Sequence, residues 1–117
     1  EAQMMSMRLH ANWMGISPSA IYATGGASVN TEILQVMADV HNCPVHQFKV
    51  TNSAALGAAL RAAHAYSSGS GSSRTWSDVV AGFAEPVPDS VIAPQNAAVY
   101  GDLMKKYADC EKTAIGA

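Results

Sequence analysis

Charged residues are scarce in this sequence. Asp, Glu, Lys and Arg make up 14% of its 117 residues, whereas a typical soluble domain has roughly 25%. The formal net charge is only −2, so the chain lacks the basic surface on which binding to nucleic acid or to an anionic membrane depends. Hydrophobic residues make up 49%, which excludes a disordered segment. So few charges indicate that another part of a longer protein covers much of this surface.

Other features are missing as well. No apolar run approaches the ~18 residues that span a bilayer, and the start at Glu1-Ala2-Gln3 lacks the basic region of a signal peptide. The two cysteines, Cys43 and Cys110, form no CxxC pair, so we predict free, buried thiols in a reducing compartment. The four histidines lack the spacing of metal ligands. We therefore expect a cytoplasmic protein with no metal site in this chain.

Hydrophobic periodicity and the positions of Gly, Pro and Asn divide the first part of the chain into alternating helices and strands. We predict a helix over residues 2–14 ending at Gly15, a strand over 20–24 buried on both faces, a helix over 30–41, a strand over 45–50 and a helix over 54–66. Helix 54–66 consists mostly of small residues, so we expect it to be clamped between other elements. In helix 30–41 the apolar side is Ile33, Leu34, Met37 and Val40, and the opposite side is Glu32, Gln35 and Asp39.

The second part of the chain is less regular. We predict a flexible Ser/Gly loop over residues 67–74, a short helix over 76–83 with Ser77 near its cap, a Pro-rich extended segment over 84–96, and a C-terminal helix over 97–114. The buried stripe predicted for that last helix is Val99, Leu103, Tyr107 and Cys110.

The order of elements predicts an α/β fold with a β-α-β-α unit and flanking helices. A strand, a crossover helix and a second strand should form a right-handed parallel pair. Two parallel strands do not make a domain, because such strands normally belong to a larger sheet covered by helices. The start at Glu1, inside a predicted helix, favours a piece of a longer protein or a start trimmed for expression.

The residues that best suit a ligand-binding site form the turn Thr24-Gly25-Gly26-Ala27, and Asn30 follows three residues later. This turn follows a predicted strand and opens a helix, which is where ligands bind in open α/β sheets. Glycine lets a flat ring or a phosphate approach the backbone, and the start of a helix favours an anion. The alternative is a tight turn in which Asn30 or a serine only caps the helix. The GxGxxG and Walker A signatures are both absent.

A run of motifs in one order resembles the adenosine-binding segment of the FGGY carbohydrate kinases. The resemblance covers residues 1–66, and it is weak beyond them. Thr24 before the glycine pair resembles the xylulokinase branch of the family, since glycerol kinases usually carry Asp there. The segments that carry the resemblance are Met7–Ala11, Ala23–Ser28, Asn30, Glu32–Val36, Ala38–Val40, Pro44-Val45, Asn52–Ala54 and Gly57–Ala63.

The resemblance implies an actin-like, ribonuclease-H-like ATPase fold, of which residues 1–117 would be the C-terminal portion of the nucleotide-binding domain. In this family ATP lies in a cleft between two domains, and a sugar hydroxyl attacks its γ-phosphate. Carried over by position, Gly25 and Gly26 would press their backbone against the adenosine and α-phosphate, flanked by Thr24 and Ala27. Asn30 would hydrogen-bond the adenine or ribose.

The resemblance also implies what this chain does not supply. The catalytic base, the other phosphate-binding loop and the sugar pocket would belong to the rest of the kinase, including an N-terminal sugar-binding domain, so no residue here is assigned a catalytic role. Magnesium would accompany ATP without being held by these residues.

The resulting prediction is the ATP-binding portion of a sugar kinase of the xylulokinase branch, which converts xylulose to xylulose 5-phosphate. The alternatives are a kinase of the same family acting on glycerol, ribulose or gluconate, or a non-catalytic nucleotide-binding or interaction module. We expect the chain alone to be inactive and marginally stable, and to self-associate, because its apolar faces and strand edges would be uncovered.

Overall fold

The computed structural model describes residues 1–71 and 74–116. Its elements follow the predicted order of helices and strands. In chain order they are α1 (Ala2–Ala11), a 3₁₀ turn (Asn12–Met14), β1 (Ile21–Ala23), a 3₁₀ turn (Gly26–Val29), α2 (Thr31–His41), β2 (Val45–Gln47), α3 (Ser53–Gly69), α4 (Trp76–Val80) and α5 (Ala97–Ile115).

The two strands pair in parallel, as the order of elements predicted. Ile21 lies opposite Val45 and Ala23 opposite Gln47. Helix α2 connects the strands and packs on one face of the pair, which brings Leu34 and Ala38 into a buried cluster with Ala23 and Val45. This small core fixes the two carboxyl ends of the strands at one edge of the sheet.

The other face of the strand pair is open in the described residues. Tyr22 keeps 56% of its surface exposed, so the prediction that the first strand is buried on both faces is wrong for this chain. The Tyr22 ring stacks on His46 with ring centroids 5.0 Å apart, and Phe48 lies tilted against it at 5.8 Å. Side chains alternate between the two faces of a strand, so only Ile21 and Ala23 face α2.

The Pro-rich segment runs along the free edge of β2. The Val45 N–H donates to the Ile92 carbonyl and the Ile92 N–H to the Val45 carbonyl, both at 2.9 Å, and the Val87 N–H donates to the Gln47 carbonyl at 2.8 Å. Proline suits such an edge because it has no N–H to donate. The strand predicted over residues 45–50 is shorter, since Phe48 makes only an isolated bridge to Pro86.

Within α2, the structure departs most from the sequence prediction at Asp39. The helical pattern predicts Asp39 on the side opposite the apolar residues, yet only 4% of its surface is exposed. Its Oδ1 accepts the backbone N–H of Asn96 at 2.8 Å, the N–H of Gln95 and, at 3.3 Å, the side chain of Gln35. Burial opposes ionisation of this carboxyl, but these hydrogen bonds outweigh it and hold the pKa of Asp39 below its ordinary value. A carboxylate on α2 therefore anchors the start of α5.

The covered side of helix α5 agrees only in part with the predicted stripe. Tyr100 is buried, while Val99 is 57% exposed and Cys110 is an exposed free thiol; Cys43 is buried as predicted. The helix packs against α2 and α1, and the Tyr100 hydroxyl donates to Glu1 Oε1 at 3.1 Å. Leu103 and Tyr107 of the predicted stripe are half-buried, so the prediction holds in the middle of the helix and is wrong at Val99 and Cys110, because contacts with α1 and α2 decide which side is covered.

The remaining helices differ from prediction mainly at their ends. Gly15 adopts the left-handed conformation that ends the first helical segment, as predicted. Helix α4 is capped by Thr75 instead of Ser77, through a reciprocal capping box with Asp78. Helix α3 runs on through Ser67–Gly69, into the predicted flexible loop, and residues 72 and 73 of that loop lie outside the described residues.

Helix α3 is not clamped between other elements in the described part of the chain. None of its side chains is fully buried, and its main contact is with α4, where His64 stacks on Trp76 with ring centroids 4.1 Å apart. Across the described ranges, no helix combines the length and the apolar character of a membrane span.

Asp39 gives a pH-dependent prediction. Replacing it with Asn removes the charge from three hydrogen bonds, so Asp39→Asn should lower the free energy of unfolding at neutral pH by about 1–2 kcal/mol. Because the pKa of Asp39 is lower in the folded state, its contribution is complete above the ordinary value of 3.8 and is lost as pH falls through the lowered value. Unfolding measured from pH 7 to pH 3 should show the gap between the two proteins closing at the acidic end.

The matched control for this experiment is Asp102→Asn, because the exposed Asp102 makes only a surface ion pair with Lys105 at 3.5 Å. Its free energy of unfolding should stay close to that of the parent. A gap for Asp39→Asn that is absent, or equal at every pH, would contradict the anchoring role.

Candidate functional site

The candidate site lies where the two parallel strands end. After β1 the chain turns sharply at Gly25. Its backbone φ of 92° is a conformation that residues other than glycine rarely adopt. The 3₁₀ turn Gly26–Val29 follows, and α2 begins at Thr31. After β2 the chain passes through Thr51 and Asn52 into α3. Parallel pairing places both connections at the same edge of the sheet.

These two connections flank a shallow, solvent-open cleft of about 350 Å³. Gly25 and Gly26 form one side, and the segment Thr51–Ala54 forms the other. Asn52 caps α3 by accepting the N–H of Ala55 at 3.3 Å. The first N–H groups of a helix have no partner within the helix, and together with the helix dipole they favour a negatively charged group at this end.

Hydrogen bonds hold the glycine turn against β2. The buried Ser28 donates its hydroxyl to the Gly25 carbonyl at 2.7 Å, and its backbone N–H reaches the same carbonyl at 3.1 Å. Gln47, at the end of β2, donates Nε2 to the Ser28 carbonyl at 2.7 Å. The turn is thereby tied both to itself and to the neighbouring strand.

The five residues predicted to contact nucleotide are distributed over three places. Gly25 and Gly26 line the cleft. Thr24 and Ala27 lie beside a different, larger cavity. Asn30 lines neither cavity, and its Oδ1 accepts the Ile33 N–H at 3.1 Å as the N-cap of α2.

The opposite wall of the cleft, Thr51–Ala54, was not assigned to the site from the sequence. The sequence prediction uses Asn52 and Ser53 only within the Asn52–Ala54 motif that carries the family resemblance. The available signal was topological, since segments that follow two adjacent parallel strands meet at the same edge of a sheet.

The larger cavity, of about 710 Å³, lies between α1, β1 and α2. Its walls are largely apolar, with Met4, Met7, Ile21 and Met37 among them. His41 also lines it, and within the described residues the Nε2 atom of His41 is buried without a hydrogen-bond partner. Burial, and then the nearby Arg8, hold the pKa of His41 below its ordinary value. A neutral imidazole among apolar side chains suits contact with protein better than contact with a phosphate.

Metal ligands are not gathered anywhere in the described ranges, where no group of three or more His, Cys, Asp or Glu side chains is placed to hold an ion. The cleft itself is lined by glycine, alanine and neutral polar residues and carries no carboxylate.

A parallel strand pair that ends in a glycine turn, facing the start of a second helix, is the arrangement of an open α/β sheet domain, in which ligands bind at the carboxyl ends of the strands. The profile of the FGGY family of carbohydrate kinases, C-terminal domain, matches residues 1–66. The chain belongs to the FGGY family of carbohydrate kinases. Its fold is part of an actin-like, ribonuclease-H-like ATPase domain, as predicted.

Individual relatives agree with this family. The chain is 41% identical over 118 residues to the xylulose kinase of Rattus norvegicus, covering 98% of this chain and 22% of the relative. It is 38% identical to the xylulose kinase of Mus musculus, covering 98% and 21%. The crystal structure of ligand-bound xylulose kinase from Lactobacillus acidophilus matches with a TM-score of 0.66 and 30% identity, covering 86% of this chain and 19% of that one. The chain thus spans about a fifth of the length of these relatives.

Asn30 can be tested as a helix cap. Because Asp caps a helix as well as Asn does, Asn30→Asp should leave the free energy of unfolding nearly unchanged, whereas Asn30→Ala should lower it by about 1 kcal/mol. Chemical denaturation of the parent and the two variants measures both effects. An unchanged free energy of unfolding in Asn30→Ala would show that the bond to the Ile33 N–H does not stabilise α2.

Proposed function

We propose that this chain forms one wall of the ATP site of a sugar kinase that phosphorylates xylulose. The observation that carries the proposal is the cleft between the Gly25-Gly26 turn and the start of α3 at Ser53. Support for the substrate comes from the relatives, since those of rat, mouse and Lactobacillus acidophilus are all named xylulose kinases.

The two walls of the cleft suit different parts of a nucleotide. Apart from its two chain neighbours, a Cβ added at Gly26 would meet no residue within 4 Å, so the space beside this backbone is free for a ribose or the adjoining phosphate. Across the cleft, the N-terminal end of the 17-residue helix α3 offers N–H groups and a favourable dipole to the phosphates. Asn30 would assist by fixing the start of α2, and Thr24 and Ala27 by shaping the turn.

Magnesium does not fit the residues present here. Cations of this kind prefer carboxylate and phosphate oxygens, and the cleft carries no carboxylate. The metal ion that accompanies ATP would therefore be held by the nucleotide phosphates and by the rest of the kinase. Because the cleft carries no acidic group, the base that deprotonates the sugar hydroxyl would belong to the rest of the kinase. The sugar site would lie there as well.

The larger cavity is proposed as a contact surface for that remainder. Its apolar walls include the residues of β1, the strand whose outer edge has no partner among the described residues. The relatives have about four-fifths of their length outside the matched part, which is ample chain to cover it. A chain that lacks this cover, the sugar site and the base should self-associate and catalyse nothing. The use of ATP and the free thiols favour the cytoplasm as its location.

Gly26 offers the clearest test of nucleotide contact. Gly25 is unsuitable because any side chain there would strain the backbone at its positive φ, whereas Gly26 has ordinary backbone geometry and open space around it. In the intact kinase, Gly26→Val should raise the KM for ATP about tenfold or more, which corresponds to ~1.4 kcal/mol, because its side chain would occupy ligand volume. The KM for xylulose should change much less in steady-state assays.

The matched control is Gly101→Val, the same replacement at an exposed glycine of α5 that also has no neighbouring atom within 4 Å. It should leave both KM values unchanged. Equal effects of Gly26→Val on both substrates, or no effect on either, would count against this assignment of the ATP site.

A further inference from the structure

We infer that Gln47 is a positioning residue for the glycine turn, an inference that rests on the function proposed above. Gln47 is the last residue of β2, and its Nε2 donates to the Ser28 carbonyl at 2.7 Å. Nineteen positions of sequence separate the two residues. The bond therefore joins the turn that follows β1 to the last residue of β2, at the carboxyl ends of the two strands.

The position of Ser28 explains why this bond matters. The turn Gly26–Val29 has only four residues, and the carbonyls near the end of so short a helical turn lack partners inside it. Ser28 is 4% exposed, so water cannot readily replace a lost partner, and an unsatisfied buried acceptor is unfavourable. Gln47 supplies the missing donor.

The effect reaches the cleft through Ser28. Its hydroxyl and its backbone N–H both donate to the Gly25 carbonyl, at 2.7 Å and 3.1 Å. Holding Ser28 in place therefore fixes the peptide that joins Gly25 to Gly26, and these two residues line the cleft. Gln47 acts on nucleotide binding from outside the cleft, through two successive hydrogen-bonded residues.

A turn of this composition needs such a restraint. Glycine loses more conformational freedom on ordering than any other residue, and a loop held in its bound conformation binds more tightly because less ordering remains to be done. Gln47 is itself well fixed, since it belongs to β2 and its carbonyl accepts the Val87 N–H at 2.8 Å. A change at this side chain should thus release the turn while leaving the strand in place.

The test compares two glutamines in the intact kinase. Gln47→Leu keeps the size of the side chain and removes its donor. Gln35→Leu is the matched control, because Gln35 Nε2 donates to the Ala93 carbonyl at 3.0 Å and to Asp39 Oδ1 at 3.3 Å, both away from the glycine turn. Calorimetric titration should show the Kd for ATP raised about three- to tenfold by Gln47→Leu and unchanged by Gln35→Leu, whatever each variant does to the thermal midpoint.

A purely structural role would give a different pattern. Lower thermal midpoints for both variants, with the Kd for ATP unchanged in both, would overturn the positioning role. If Gln47→Leu fails to fold, Ser28→Ala tests the same connection by removing the hydroxyl bond to Gly25, and it should also weaken ATP binding. An unchanged Kd for ATP in Ser28→Ala would likewise count against the connection.

Gly26→Val separates this inference from the proposed function. If that variant weakens ATP binding and Gln47→Leu does not, the positioning role is wrong and the nucleotide site stands. If neither variant weakens ATP binding, both proposals are contradicted.

Discussion

Parallel pairing of two three-residue strands is the constraint on which the rest of this structure depends. Ile21 lies opposite Val45 and Ala23 opposite Gln47, and α2 covers one face of the pair through Leu34. Because the strands run in the same direction, the turn after the first and the helix start after the second must meet at one edge. In an antiparallel pair, the turn and the helix start would lie at opposite ends of the strands. The cleft between the glycine turn and α3 is therefore a consequence of topology.

The tail strengthens this arrangement from outside. Its Pro-rich segment occupies the free edge of β2 through paired bonds between Val45 and Ile92, and α5 is anchored to α2 by the carboxylate of Asp39. The edge of β1, the large cavity beside it and the exposed face with Tyr22 are left uncovered in the described residues. The edge of β2 is thus covered by this chain, whereas the edge of β1 is uncovered in the described part of the chain. This arrangement suits a segment that forms the outer part of a sheet in a larger kinase.

The sequence was sufficient for the order of elements and the parallel pair, because apolar periodicity and glycine placement are local signals. It was sufficient for the family because several motifs occur in the same order as in the FGGY kinases that the chain resembles. It was insufficient wherever a long-range contact decided the outcome. Asp39 was assigned to solvent because its partners, Gln95 and Asn96, lie far along the chain and donate from the backbone. The pattern singled out Gly25 and Gly26 as a possible ligand turn and left a plain capping turn as the alternative, whereas Thr51–Ala54 required knowledge of which connections meet. The Gln47 bond to Ser28 has no signature in the sequence.

Hydrogen exchange of the intact kinase, with and without a non-hydrolysable ATP analogue, tests the central claim most directly. The account predicts that the analogue slows amide exchange in residues 25–30 and in the first turn of α3, residues 53–56, while the solvent-facing amides of α5 exchange as before. Protection confined to other parts of the kinase, with both of these segments unchanged, would contradict the claim that they form a wall of the nucleotide site.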